Sequence, residues 1–183
     1  MFTDFYVVHG QTEATQVTDA VRRNTSSLTS RNLQVIGAGS RFHAQLRIQN
    51  TATESSGRVQ NVMVVTASMK NEVRPAFVST GEEIPYLEWH LRLLKSLRDA
   101  NYNIISKRHP KGFLSNIKLF DGIANEELID GSFTDLMEIA DAFVFDFAAS
   151  AFMEALCTNK PVVLIETPYR TLLPAGRGEV ASA

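Results

Sequence analysis

From Val59 onward the chain alternates short apolar runs with helical stretches, and that alternation leaves few folds open. The runs are "VQNVMVVTAS", "YNIIS", "AFVFDF" and "PVVLIE". They are of strand length, rich in β-branched or aromatic residues, and apolar on both faces. Between them lie "STGEEIPYLEWHLRLLKSLRDA", "FTDLMEIA" and "SAFMEALCT" at helical spacing, while "KGFLSNIKLF" reads as a short helix or a loop. Strands buried on both faces and separated by helices build a parallel sheet covered on both sides. The expected fold class is α/β, doubly wound.

The residues before Val59 read differently. "DFYVVHGQTEATQVTDAVRRN" gives a strand, a turn at His9 and Gly10, and a helix carrying Val17, Ala20 and Val21. "LQVIGAGSRF" gives a short strand ending at Gly37 and Gly39, with no regular helix signal after it. Residues 49–58, "QNTATESSGR", are small and polar and make the best linker in the chain. The expected organisation is an N-terminal arm over 1–48, a linker over 49–58 and a nucleotide-binding-type unit over 59–183.

The helix after the first strand of that unit is the clearest. Thr80 and Glu83 stand at capping-box spacing. From Ile84 to Leu97 apolar residues cover more than half the wheel, leaving Glu88, Arg92, Lys95 and Asp99 on a narrow wet face. Such a helix packs on the sheet and presents apolar surface to a second neighbour. His90 lies inside the apolar arc and reads as a partly buried, hydrogen-bonded core histidine.

Composition narrows the function classes. The net charge of −2 gives no bulk electrostatic reason to bind nucleic acid. The longest apolar runs are too short to span a bilayer, and the N-terminal residues lack a signal-peptide pattern. The lone Cys157 cannot form an intramolecular disulfide, and it lies on the apolar side of its helix as a structural residue. A cytoplasmic location is expected, with peripheral membrane association at the inner face through a further domain as an extension of it.

In an open parallel sheet, ligands bind beyond the carboxyl ends of the strands. That rule selects Thr66 and Ser68 after the first strand, and Lys107, Arg108, His109 and Pro110 after the second. It adds Asp146, Ala148, Ala149 and Ser150 after the third, and Glu166 and Thr167 after the fourth. With Ser150 as helix cap, the following backbone N–H groups would suit a phosphate. Glu154, one turn in, has two readings: a carboxylate complementing the helix dipole, or an acceptor for the vicinal hydroxyls of a ribose. Lys107 and Arg108 alternate faces, so one of them is expected to point into the cleft. His109 is held extended by Pro110 and is either a donor to phosphate oxygen or part of a solvated basic loop. Thr66 and Ser68 can hydrogen-bond phosphate, or simply close a strand. No HxxxH, CxxC, GxSxG, GxxxxGK[ST] or GxGxxG occurs, so neither a metal site nor those catalytic motifs are expected.

Taken in order, "VVTAS", "ISKRHP" and "DLMEIADAFVFDFAASAFMEALCTNKPVVLI" resemble the C-terminal, donor-binding domain of GT-B glycosyltransferases. The resemblance is nearest the CDP-glycerol glycerophosphotransferase and surface-polysaccharide group and covers roughly residues 60–168. It implies a Rossmann-like half-domain, with His109 and Lys107 beside the donor diphosphate as the catalytic pair. It also implies Ser150 and the amides after it on phosphate, and Glu154 on ribose; Thr66, Ser68 and Asp146, chosen by the strand-end rule, complete the expected donor-binding set. The group's usual hydroxyl pair is replaced by Ala148-Ala149-Ser150, leaving one hydroxyl. His9 would border an interdomain cleft, or is a plain turn histidine.

The resemblance further implies a nucleoside-diphosphate-linked donor of CDP or UDP type, no tightly bound cofactor, and a carbohydrate or polyol-phosphate acceptor. The function expected is the donor-binding half of a glycosyl- or glycerophosphotransferase for cell-surface polymers, inactive alone if it is a fragment. Two alternatives stand beside it. One is a sugar-nucleotide epimerase, whose acid–base carboxylates would be Asp146 and Glu166. The other is a non-catalytic domain binding a partner, or a second copy, through the helix over 84–100.

Overall fold

A computed structural model describes residues 5–24, 34–50, 57–67, 83–110 and 117–167. The chain divides into two compact units, Met1–Ile48 and Gln49–Ala183. In the first, strand β1 (Phe5–His9) leads through helix α1 (Gly10–Asn24) to strand β2 (Gln34–Ala38). β1 and β2 pair in parallel, with His9 opposite Ala38, and α1 packs on both.

Helix α2 (Arg41–Asn50) follows β2, where no helix was expected. It was missed because its apolar residues form no stripe: Leu46 is buried while Phe42 and Ile48 are exposed. Its start is nevertheless encoded. The Ser40 hydroxyl accepts from the His43 N–H at 3.3 Å, an N-cap bond that satisfies one of the helix's orphan donors.

The second unit is built on five parallel strands in the order β5-β4-β3-β6-β7. These are β3 (Asn61–Val65), β4 (Asn103–Lys107), β5 (Glu126–Leu128), β6 (Ala142–Phe145) and β7 (Val162–Leu164). Helix α3 (Glu83–Asp99) connects β3 to β4. Helix α4 (Phe133–Leu136), a single 3-10 turn (Met137–Ile139) and helix α5 (Ser150–Ala155) flank β6 in sequence. Chain order runs outward from β3 to one edge and then from β6 to the other, so the switch point lies between β3 and β6. This is a Rossmann-like doubly wound sheet.

Strand alternation sends successive side chains to opposite faces. On one face Val62, Val64, Ile104 and Val144 meet Tyr86 and Leu94 of α3 and the buried Phe120. α3 closes with Asn101 in the left-handed region at φ 64°. Asn101 N–H donates to the Arg98 carbonyl at 2.9 Å and Tyr102 N–H to the Leu97 carbonyl at 3.2 Å. This Schellman-type end satisfies two terminal carbonyls and turns the chain into β4.

The other face is aromatic. Phe143 and Phe145 pack on Phe133, with centroids 5.2 and 5.7 Å away, and Phe145 meets Phe152 of α5 edge-on at 5.5 Å. Ser132 caps α4, accepting from the Asp135 N–H at 3.2 Å and donating to its carboxylate at 2.6 Å.

Two side chains fasten the amino ends of the strands. Asp141 accepts from Asn61 N–H at 2.8 Å and Gln60 N–H at 3.0 Å, tying the start of β6 to β3. Lys160 Nζ donates to the carbonyls of Met137 and Ala140, both at 2.7 Å, and so closes the 3-10 turn. The Asn61 bond first, then the Gln60 bond and Lys160, hold the Asp141 carboxyl below its ordinary range against the opposing effect of burial. A depressed folded-state pKa contributes stability that is present above the unfolded value and is lost as pH falls through the folded one. Asp141→Asn is therefore expected to flatten the acid limb of the stability curve. An unchanged acid limb in urea titrations at stepped pH would show that the Asp141 carboxylate contributes nothing there.

Candidate functional site at the carboxyl edge of the sheet

Parallel pairing brings the carboxyl ends of all five strands to one edge, so the residues selected from sequence converge there in so far as they are described. Ser68 lies outside the described residues, as does Thr80 of the proposed capping box. Thr66 is buried at the end of β3, its N–H donating to the Lys107 carbonyl at 3.1 Å. His109 is exposed just past β4, and Glu166 is exposed just past β7.

Lys107 and Arg108 do alternate faces, but both are buried. Arg108 Nη1 pairs with Glu127 Oε1 at 2.8 Å and also donates to the Ile117 carbonyl. Lys107 Nζ turns back to the carbonyls of Ile129 at 2.7 Å and Arg108 at 3.2 Å. Burial pushes the Lys107 ammonium below the ordinary lysine range, with Asp130 opposing. The expectation that one of the two points into the cleft is corrected: each charge is committed to internal partners. His109, the next residue along, is exposed.

The expectation for Ser150 also changes. The N-cap of α5 is Ala149, with φ −112° and ψ −167° and no side-chain cap bond, and Ser150 is the first helical residue. The small side chains of Ala148 and Ala149 do not shape the turn by hydrogen bonding; the Ala149 N–H bonds the Phe147 carbonyl at 3.0 Å instead. Ser150 is exposed. Glu154 is half-buried, and its Oε2 accepts from the Thr134 hydroxyl of α4 at 2.6 Å. A ribose would have to use the other oxygen or displace Thr134.

Asp146 sits at the switch point and is 4% exposed. Its Oδ1 accepts from the Ala67 N–H at the exit of β3 at 3.2 Å. Its Oδ2 accepts from the Tyr86 hydroxyl and lies 3.2 Å from His90 Nε2. His90 is fully buried, and its Nδ1 lies 3.0 Å from the Tyr86 carbonyl. A carbonyl only accepts, so the Nδ1 carries the proton of that bond. The Nε2 to Oδ2 approach is within ion-pair distance but lacks hydrogen-bond alignment. Sequence reading placed His90 in the core and Asp146 at the edge; it missed that Tyr86 and His90, four residues apart on α3, both meet Asp146. The spacing of a tyrosine and a histidine on one helix face was the available signal.

Two concave regions of about 350 and 630 Å³ open at the opposite edge, sharing Asn101, Tyr102 and Asn103. They lie at the amino ends of the strands, where Arg98 donates to the Gly122 carbonyl at 2.5 Å. The strand-end rule rather than cavity size places the candidate site, because helix amino termini and loop amides face the carboxyl edge in a parallel sheet. Among the described residues no three of His, Cys, Asp and Glu stand together as a metal site, and no helix is long and apolar enough to cross a membrane.

A doubly wound sheet with polar side chains gathered at its carboxyl edge defines a Rossmann-like α/β protein. The match to a family model described as LIC12162 family transferase, over residues 37–173, makes this chain a member of that transferase family. No curated protein and no solved structure shows significant similarity to it.

Proposed function

We propose that this chain is the donor-binding part of a transferase that moves a glycosyl or glycerophosphoryl group from a nucleoside diphosphate. A CDP- or UDP-linked donor and a carbohydrate or polyol-phosphate acceptor of a cell-surface polymer fit the resemblance of its motifs to GT-B enzymes. The observation that carries the reading is the placement of His109 and Ser150, both exposed, at the carboxyl edge of a five-stranded parallel sheet. In this reading His109 donates to the departing diphosphate, and Ser150 and the amides beside it bind phosphate oxygens, an electrostatic role of the oxyanion-hole kind. Lys107 acts indirectly, fixing the β4 exit through the Ile129 carbonyl. Glu154 takes a ribose hydroxyl on its second oxygen.

Thermal unfolding with CDP, UDP, GDP and ADP, each with and without a divalent ion, tests this. One diphosphate is expected to stabilise selectively, by about 2.7 kcal/mol at a hundred times its dissociation constant. His109→Ala should remove most of that shift. If no diphosphate stabilises the chain while it self-associates, the site assignment fails and partner binding through α3 takes its place. Conversion of the donor sugar without release of nucleotide would instead identify an epimerase.

A further inference from the structure

The face of the sheet under α3 changes character along the strands. Register places Glu127, Ser106, Val64 and Val144 in one row across β5, β4, β3 and β6. By alternation, Arg108, Thr66 and Asp146 form the next row on the same face, beyond the last paired residues. Every described polar member of these rows lies inside or against the core, and the next row in, with Ile104 and Val62, is apolar. Helix α3 follows the same gradient. Leu94 is 1% exposed over the apolar rows, whereas His90 and Tyr86 lie one and two turns nearer the carboxyl edge, over Asp146.

Burial of this kind does not serve adhesion. A buried ionic or polar cluster is commonly matched or bettered in stability by apolar side chains of similar volume. The leucines of α3 show that the helix can be held that way. The polar cluster occurs only at the level of the strand ends, and it touches the backbone there: one Asp146 oxygen holds the Ala67 N–H, the other holds Tyr86 and approaches His90. One carboxylate therefore links three elements that border the switch point, namely the exit of β3, the exit of β6 and the first turns of α3.

We propose that Asp146 is a positioning residue, which sets the first turns of α3 against the β3–β6 crevice through Tyr86 and His90 and does not itself contact the donor. This rests on the reading that a nucleoside diphosphate binds at the carboxyl edge. It replaces the assignment of Asp146 as a ligand: its carboxylate is buried, already hydrogen-bonded by the Ala67 N–H and the Tyr86 hydroxyl, and negative where a diphosphate would need donors.

The chain carries its own reporter. Trp89 is the sole tryptophan. It stacks on Tyr86 at 6.4 Å between ring centroids and meets His90 edge-on at 4.8 Å. Its emission reads the cluster without a label.

The test uses the full chain in two arms. In the first, without ligand, Asp146→Asn is compared with the unsubstituted chain by Trp89 emission and by amide exchange over residues 84–90. A shifted emission and roughly tenfold faster exchange in those first turns, with the Leu94 turn unchanged, are expected. Identical emission and exchange would overturn the positioning role whatever the protein binds. In the second arm a triple variant, Tyr86→Phe, His90→Leu and Asp146→Leu, replaces the cluster by apolar packing. It is expected to melt within a few degrees of the unsubstituted chain and to bind the stabilising diphosphate at least about tenfold more weakly, a 1.4 kcal/mol effect. Equal affinity would show that the cluster is packing alone. Should the triple variant not fold, Asp146→Asn, which keeps the side-chain size, carries the affinity comparison. If the unsubstituted chain binds no diphosphate, the donor reading has failed separately, and the first arm alone decides the role of Asp146.

Discussion

Glu127→Ala is expected to destabilise the protein by about 3–5 kcal/mol, the range for removing one partner of a buried ion pair. Arg108 and Glu127 are only 5% and 3% exposed in their side chains, with Nη1 and Oε1 2.8 Å apart. The carboxylate serves more than the guanidinium: it also accepts from Leu119 N–H at 3.0 Å and Phe120 N–H at 3.1 Å. Truncation would strand a buried cation and two amides together. The prediction has a built-in control, because most of the loss comes from the unpaired charge. A double variant, Arg108→Met with Glu127→Ala, should be more stable than Glu127→Ala alone although it carries one more substitution. Urea unfolding measures both. A single-variant loss below about 1 kcal/mol would mean that Arg108 reaches water when released, as an exposed pair would.

That pair also explains what sequence reading could not reach. β5 is three residues long and carries two glutamates, a pattern that no apolar or alternating template recognises. It is a strand because it lies beside β4 and because Glu127 has Arg108 to meet, nineteen residues earlier in sequence. Neither partner announces the other. The same limit governs Lys107 and Arg108: alternation was legible, whereas the carbonyl of Ile129 and the carboxylate of Glu127 that draw them inward were not. What was legible followed from local pattern. The valine-rich β3, the aromatic β6 and the broad apolar arc of α3 each specify their element, and their order specifies a parallel sheet whose carboxyl ends share one edge. The edge was therefore located from sequence, but the commitments of its side chains, such as Thr134 to Glu154 or Tyr86 to Asp146, were set by elements brought together only on folding.

Phe143→Ala is the second large effect, about 3–5 kcal/mol from lost transfer energy and the cavity left behind. Phe143 is 0% exposed, in a strand paired on both sides, to β3 and to β7. Its ring packs on Phe133 at 5.2 Å and lies 5.9 Å beneath the Lys160 ammonium. Relaxation into the gap is limited, because Phe133 begins α4 and Lys160 is held by the Met137 and Ala140 carbonyls. Phe143→Leu keeps most of the volume and should recover most of the loss, while Ile84→Ala, at a side chain 81% exposed, should stay within about 0.5 kcal/mol. A lower urea midpoint with an unchanged slope is the expected signature. A loss for Phe143→Ala as small as that for Ile84→Ala would mean the aromatic face is not a closed core. The consequence reaches the site by a short path: β6 delivers Asp146 to the switch point, and Phe145, two residues beyond Phe143, seats Phe152 of α5. A loosened β6 face therefore shifts both the carboxylate that holds α3 and the helix start that carries Ser150.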